Sequence, residues 1–296
     1  MVISTLTPNI HIRLITIPYF PFRDLNNSSL KFFKEKTMKK IILLTTAFSL
    51  CAAASAHAQT GVLAGWEGEA SLNGARTTGN TDTLDFGAAL KLEKNTDTWN
   101  HKLKGSALFG ETDDVSTRER YDIGYQIERN FSERLYAYGN ADYYADEFGA
   151  FSSGYFIGGG LGYRVFLPEP LGWALEGGPG FRSQVAQDVI LDEALFLADP
   201  TDPLGFTEGD RSNEFALRGR SDFDYKVNDN VSVYNDTEIL WSDSDTYVWN
   251  EVGITAQLVG NLAARASYRV DHHTNPPLGT VGTDTITKVG VVYTLK

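Results

Sequence analysis

Three consecutive residues, Asp271-His272-His273, carry the clearest potential for chemistry: two imidazoles able to ligate a metal or move a proton, beside a carboxylate able to orient one of them. Successive side chains on a strand point to opposite faces, so the two imidazoles converge only if the segment is a loop. The expectation is a plain solvated loop. The one other histidine after residue 58 is His101, and none of the three lies two residues from a serine on the same strand face. A nucleophile with its base in hydrogen-bond reach, as an outer-membrane hydrolase would need, is therefore missing from the sequence pattern. Glu67 and Glu69 share a face and mimic a glycosidase dyad, but they read more simply as charges opposite basic residues of neighbouring strands. Gly158-Gly159-Gly160 lacks the Lys-Ser or Lys-Thr of a phosphate loop. Inside a strand pattern, glycine instead lets a wall bend or a side chain approach closely. Glu111-Thr112-Asp113-Asp114 and Asp243-Ser244-Asp245 offer oxygen ligands suited to calcium or magnesium without the full ligand spacing, and are expected to be solvated loops. No catalytic, cofactor-binding or metal-ligating residue is assigned, no cofactor is implied and no enzyme activity is expected.

The elements that would position these residues alternate with period two. Trp66, Gly68, Ala70, Leu72 and Gly74 share one face, and Glu67, Glu69, Ser71 and Asn73 the other. After Thr78-Gly79-Asn80-Thr81 the pattern resumes with Leu84, Phe86, Ala88, Leu90 and Leu92, giving a hairpin. Twelve strand candidates follow in this way: 66–74, 84–92, 99–109, 121–127, 135–143, 155–165, 173–181, 215–225, 231–241, 252–258, 262–270 and 289–295. The clearest is 215–225, where Phe215, Leu217, Phe223 and Tyr225 oppose Glu214, Arg218, Arg220, Asp222, Asp224 and Lys226. The least clear is 135–144, because Tyr136, Tyr138 and Tyr144 compete for the outward face. Short turns near 94–97, 130–133, 167–171, 227–230 and 259–261 alternate with generally longer, acidic connections, the longest running over 187–211. Within it, 189–197 suits a short amphipathic helix or an extra hairpin.

Met38-Lys39-Lys40, the apolar run 41–50 and Ala56-His57-Ala58 make the charged, apolar and A-x-A regions of a cleavable signal peptide. The apolar run is far short of the roughly 20 residues of a spanning helix. Residues 1–37 read as an upstream extension from a mis-assigned start, 38–58 as the signal and 59–296 as the barrel. Cys51, the only cysteine, falls inside the signal behind Leu50, so lipidation is not expected. Of the 26 basic and 38 acidic residues, 7 and 2 precede residue 59, leaving 19 against 36 in the mature chain. Nucleic acid is a poor partner for that balance. No mature segment is apolar for about 18 residues, so only a closed sheet, which pairs all its backbone groups, could span a bilayer. The fold expected is all-β, a transmembrane antiparallel barrel of twelve strands with short periplasmic turns and longer extracellular loops.

Thr78-Gly79-Asn80-Thr81, Arg134-Leu135-Tyr136-Ala137-Tyr138-Gly139, Gly158-Gly159-Gly160-Leu161-Gly162-Tyr163-Arg164 and Gly177-Gly178-Pro179-Gly180-Phe181-Arg182, in that order, resemble the salt-induced outer-membrane protein family, domain of unknown function 481. The resemblance covers roughly 62–296. It implies an outer-membrane barrel of unestablished activity, and it brings no catalytic residues. Many barrels end on an aromatic residue, whereas this chain ends Val292-Tyr293-Thr294-Leu295-Lys296, with Tyr293 the nearest substitute.

The functional expectation is a structural or permeability role in the outer membrane, linked to salt or envelope stress through the family name. A narrow channel for ions or small solutes is the first alternative and an envelope hydrolase the second. Partners implied are outer-membrane lipid and lipopolysaccharide, the barrel-assembly machinery and periplasmic chaperones, with the barrel a monomer. The lumen would hold Glu67, Glu69, Lys102, Lys104, Asp122, Glu176, Arg182, Glu214, Arg218, Arg220, Asp222, Asp224, Arg265 and Arg269, a mixture of signs that predicts a narrow, partly bridged interior. An arginine at Leu217 should then cost more than one at Ala216.

Overall fold

A chain whose side chains alternate apolar and charged has one face for hydrocarbon and one for water, and closing the sheet on itself satisfies both while leaving no edge. The computed structural model describes residues 65–78, 83–112, 115–167, 169–190, 206–277 and 280–295. The upstream extension, the signal peptide, residues 79–82 of the first turn, Asp113 and Asp114 lie outside the described residues.

The strands in chain order are β1 (Glu67–Thr78), β2 (Thr83–Asn95), β3 (Trp99–Thr112), β4 (Val115–Asn130), β5 (Leu135–Asp146), β6 (Phe151–Phe166), β7 (Leu171–Ala186), β8 (Val189–Ile190), β9 (Phe206–Thr207), β10 (Arg211–Asn228), β11 (Val231–Ser242), β12 (Thr246–Val259), β13 (Leu262–His273) and β14 (Thr283–Leu295). Twelve of them form a closed antiparallel barrel in the order β1-β14-β13-β12-β11-β10-β7-β6-β5-β4-β3-β2. All twelve strand candidates fall on these strands. The ring closes where β1 pairs with β14, from Gly68 opposite Leu295 to Thr78 opposite Thr285. β8 and β9 make a separate two-stranded sheet in the long connection, Val189 opposite Thr207. The partner of Val189 and Ile190 thus lies beyond the 189–197 segment expected to form a helix or hairpin, and residues 191–205 lie outside the described residues.

The five short turns all fall at one end of the barrel, between β2 and β3, β4 and β5, β6 and β7, β10 and β11, and β12 and β13. At the other end 187–210 and 274–282 are long, but the β5–β6 and β11–β12 links are only 147–150 and 243–245.

Register assigns the faces. Phe215, Leu217, Phe223 and Tyr225 point outward with Ile239, Ile157 and Val289; Leu217 is 46% exposed and Phe215 60%. These side chains form the hydrocarbon-facing band, and Trp99, Trp173, Trp241 and outward tyrosines edge it. The ambiguity in β5 resolves inward: Tyr136, Tyr138 and Tyr144 share a face with Asn140, Asp142 and Asp146, while Leu135, Ala137, Ala141 and Tyr143 face out. Inward tyrosines fit because the strand beside them presents glycine. A Cβ on Gly162 would sit 2.1 Å from the Tyr136 ring, and one on Gly154 2.7 Å from that of Tyr144. Gly160 serves the backbone instead, since a Cβ there would lie 2.0 Å from the Gly177 carbonyl. Of the two sequence-based readings of the glycine run, close approach is therefore realised, with a Cβ on Gly158 also only 2.5 Å from the Phe156 ring. A small apolar core sits within the barrel: Phe156, fully buried Ala216 and Leu240, with Tyr247 against them.

Candidate functional site

Alternation fixes the lumen. All fourteen residues expected there lie on the inward face, in register with one another from strand to strand. The sequence reading stopped short of several others that share their parity. Glu128 lies six residues beyond Asp122 on β4, and Asp236, Glu238, Glu251 and Lys288 follow the same rule on β11, β12 and β14. Extending the period-two phase along each strand finds them.

On one side the lumen is filled. The Arg218 guanidinium, 3% exposed, donates from Nε to Glu238 (2.9 Å) and from Nη1 to Glu176 (2.9 Å). Glu176 also accepts from the Tyr136 hydroxyl (2.9 Å) and from Gln126 (2.7 Å). Gln126 donates in turn to Glu128 (3.0 Å), which accepts further bonds from Lys102 (2.6 Å), Arg164 (3.1 Å) and Asn100 (3.2 Å). The Tyr138 ring underlies Arg218 at 5.2 Å and the Tyr136 ring underlies Arg164 at 4.3 Å. One connected network therefore crosses from β11 to β3, each buried charge meeting an opposite one, as charge in a low-dielectric interior requires.

The opposite side is open. A cavity of about 790 Å³ runs along it, lined mainly by β1 to β4 and β10 to β14. Arg265 holds Glu69 with two bonds (2.5 and 2.7 Å), Lys288 holds Glu251 (2.9 Å) and Arg269 holds Asp271 (2.7 Å). Of the Glu67 and Glu69 pair, Glu69 is thus held by Arg265, two strands away around the ring. Asp222, Asp224 and Asp236 stand together on β10 and β11, and of the three only Asp222 meets a described basic group within ion-pair distance, Arg220 at 3.1 Å. The cavity lining carries thirteen acidic and nine basic side chains.

The long-loop end is tied over by one carboxylate. Asp245, 4% exposed, accepts from Arg182 (3.3 Å), Thr274 (3.3 Å) and the Asn275 N–H (3.1 Å), and lies 2.6 Å from the His273 Nδ1. The His273 ring stacks on Tyr247 at 4.7 Å and meets Phe151 at 5.0 Å. Burial alone pushes the Asp245 carboxyl up, but the His273 bond, the Asn275 N–H and the Arg182 charge outweigh it and hold the group below the usual carboxylate range. Two expectations are corrected here. Asp243-Ser244-Asp245 is not a freely solvated loop, because Asp245 is buried among protein donors, and those donors fill the places a cation would need. His272 and His273 are not in a loop either: both end β13, pointing to opposite faces, with exposed His272 2.8 Å from the Thr283 hydroxyl. No group of three metal-ligating side chains stands together among the described residues.

Solved structures similar to this chain share little of its sequence. The NanC porin in a rhombohedral crystal form is 11% identical with a TM-score of 0.46, covering 76% of this chain and 98% of its own. The COG4313 outer membrane channel from Pseudomonas putida F1 is 10% identical with a TM-score of 0.46, covering 77% and 95%. The translocator domain of autotransporter NalP from Neisseria meningitidis is 10% identical with a TM-score of 0.45, covering 90% and 99%. No curated protein matches the chain. One family does, over residues 69–295, which takes in all twelve barrel strands, and the chain belongs to it: Protein of unknown function, DUF481.

Proposed function

We propose that this protein is an outer-membrane barrel whose lumen is a narrow pathway for ions or small hydrophilic solutes, with a preference for cations. The observation that carries the reading is the cavity of about 790 Å³ lined by thirteen acidic against nine basic side chains. Fixed negative charge in a confined, low-dielectric passage concentrates cations and repels anions. The filled side of the lumen keeps the pathway far narrower than the aqueous channel of a 16-stranded barrel. The signal at 38–58 and the hydrocarbon-facing band support delivery to the outer membrane, through the usual chaperones and barrel-assembly machinery, into lipid and lipopolysaccharide. A role under salt or envelope stress rests on the family resemblance. The protein acts without catalysis on this reading: the inward His273 lies against Asp245, Tyr247 and Phe151 rather than a nucleophile.

Refolded protein in planar bilayers tests the pathway. The expected result is a small conductance with cation selectivity at low salt that fades near 1 M, where screening shortens to about 3 Å. Porin-sized openings, anion selectivity or no conductance would each overturn it.

A further inference from the structure

The hydrocarbon-facing wall has a polar interruption. Around the ring the outward residues at mid-strand are mostly Leu, Ile, Val, Ala, Gly or aromatic, with Pro179 on β7 and Thr287 on β14 as exceptions; on three adjacent strands, however, Ser221 (β10), Asn235 and Thr237 (β11) and Asn250 (β12) face out together. Thr237 stands opposite Ser221 on one side and Asn250 on the other, so the four form one patch. It lies at the middle of the band. On β11 it is flanked by outward Val231 and Val233 towards the short turns and by Ile239 and Trp241 towards the loops; on β10, by Phe223 and Tyr225 and by Leu217 and Phe215.

The patch is partly wired within itself. Asn250 donates to the Thr237 hydroxyl (2.7 Å), Thr237 donates to the Asn235 carbonyl (3.4 Å), and the Trp173 indole N–H donates to the Ser221 hydroxyl (3.0 Å). The Asn250 side-chain carbonyl accepts nothing from a described residue. Hydrocarbon tails offer neither donors nor acceptors, so polar groups held at this depth are costly unless protein meets them.

We propose that the patch is the interface between two copies of this chain, related by a two-fold axis along the membrane normal. Two identical barrels sit at the same depth, so the axis sets one patch against the other at one level. Side-chain amides carry both donors and acceptors, which makes the surface complementary to itself, as an isologous contact demands. A different membrane protein would need its own polar patch at that depth. The proposal is independent of conduction, and it replaces the monomer expected from sequence.

Cysteine crosslinking in outer membranes tests it, because the only cysteine, Cys51, precedes the barrel. Thr237→Cys should give an oxidised species of twice the monomer mass, and Ala107→Cys, on β3 diametrically across the ring, should give none. Unmodified protein in mild detergent should have the mass of a dimer. The combined Asn235→Leu, Thr237→Val and Asn250→Leu variant should weaken that dimer by about tenfold, the change that roughly 1.4 kcal/mol produces. No crosslink at 237, equal crosslinking at 107, an adduct of another mass, a monomer in mild detergent, or a folded triple variant that dimerises as before would each overturn it.

Discussion

The two sides of the lumen hold similar residue types and do opposite things with them. On the filled side Arg218 sits between Glu176 and Glu238, and Tyr136 and Tyr138 close over the charges. On the open side Asp222, Asp224 and Asp236 share one near guanidinium, Arg220, and border empty volume. The difference comes from the backbone beside them. β6 and β7 turn glycines 158, 162 and 180 inward, and the rings of Phe156 and Tyr136 lie in the space those glycines leave. β11 to β14 present Trp249, Glu251, Arg265, Arg269 and Lys288 instead, and these side chains line the cavity. Sign alone therefore does not decide whether a lumen is bridged. Nor does an inward glycine beside an inward tyrosine by itself, since Tyr234 lies over inward Gly253 and still borders the cavity.

The sharpest way to break this contrast is to remove its central cation. Arg218→Ala strands two carboxylates among buried groups, and losing one partner of a buried pair costs about 3–5 kcal/mol. Refolding midpoints in denaturant should shift accordingly, while Arg220→Ala, beside the cavity, should shift them far less. Equal shifts would mean that the two sides are not distinct. Because Arg218 is absent from the cavity lining, its loss should not by itself widen the pathway, and only the Arg220 change is expected to raise conductance.

The next test compares faces. Leu217→Arg puts a charge into hydrocarbon at a cost of about 2–4 kcal/mol. The sequence alone predicts a milder effect at Ala216, its inward neighbour. The structure reverses that expectation, because Ala216 is fully buried against Phe156 and Leu240, where an arginine has no room. Ala89→Arg, inward on β2 beside the cavity, is the substitution that should be tolerated, within about 0.5 kcal/mol. A refolding series on the three separates lipid exposure, packed lumen and open lumen. If Ala89→Arg proved as damaging as Ala216→Arg, the cavity would not be accommodating space.

The barrel was legible in the sequence because period two is imposed at every residue by lipid on one side and water on the other. Even Glu214 through Asp224 could be placed on the lumen face from alternation alone. Tyr136, Tyr138 and Tyr144 could not, since tyrosine suits an interfacial girdle as well as a charged interior, and its direction depends on glycines of the next strand. Asp245 was equally hidden: its donors come from β7, β13 and the β13–β14 link, up to 63 residues away in sequence, as with Arg182. Alternation within one strand carries no information about such contacts. Nor does it show which lumen charges have empty space beside them.

A smaller effect should come from the open side. Asp224→Asn with Asp236→Asn removes two of the thirteen acidic linings without stranding a buried cation. Stability should hardly change, whereas cation selectivity at low salt should fall by roughly two- to fivefold, the factor set by about 0.5–1 kcal/mol of lost ion attraction. Reversal potentials across a salt gradient measure this. Unchanged selectivity would place the selective charge elsewhere, in the acidic loops.

The smallest expected effect is local and lies at the loop end. Asp245 has a carboxyl held below its ordinary range, so its bonds to Arg182, Thr274 and Asn275 contribute stability that is complete above the unfolded carboxylate value. That contribution declines as the pH falls from the unfolded value through the lowered folded one, and below the latter it is gone. The barrel itself, held by twelve paired strands, should remain closed through the same range. Acidification below the ordinary carboxylate range should therefore loosen the 243–245 and 274–282 links alone, seen as faster hydrogen exchange at Asn275 with no change in strand protection. Asp245→Asn should show the loosened exchange at neutral pH and lose most of its pH dependence. Should the substituted protein keep the same pH-dependent exchange, the carboxylate would not be what ties the loops across the mouth.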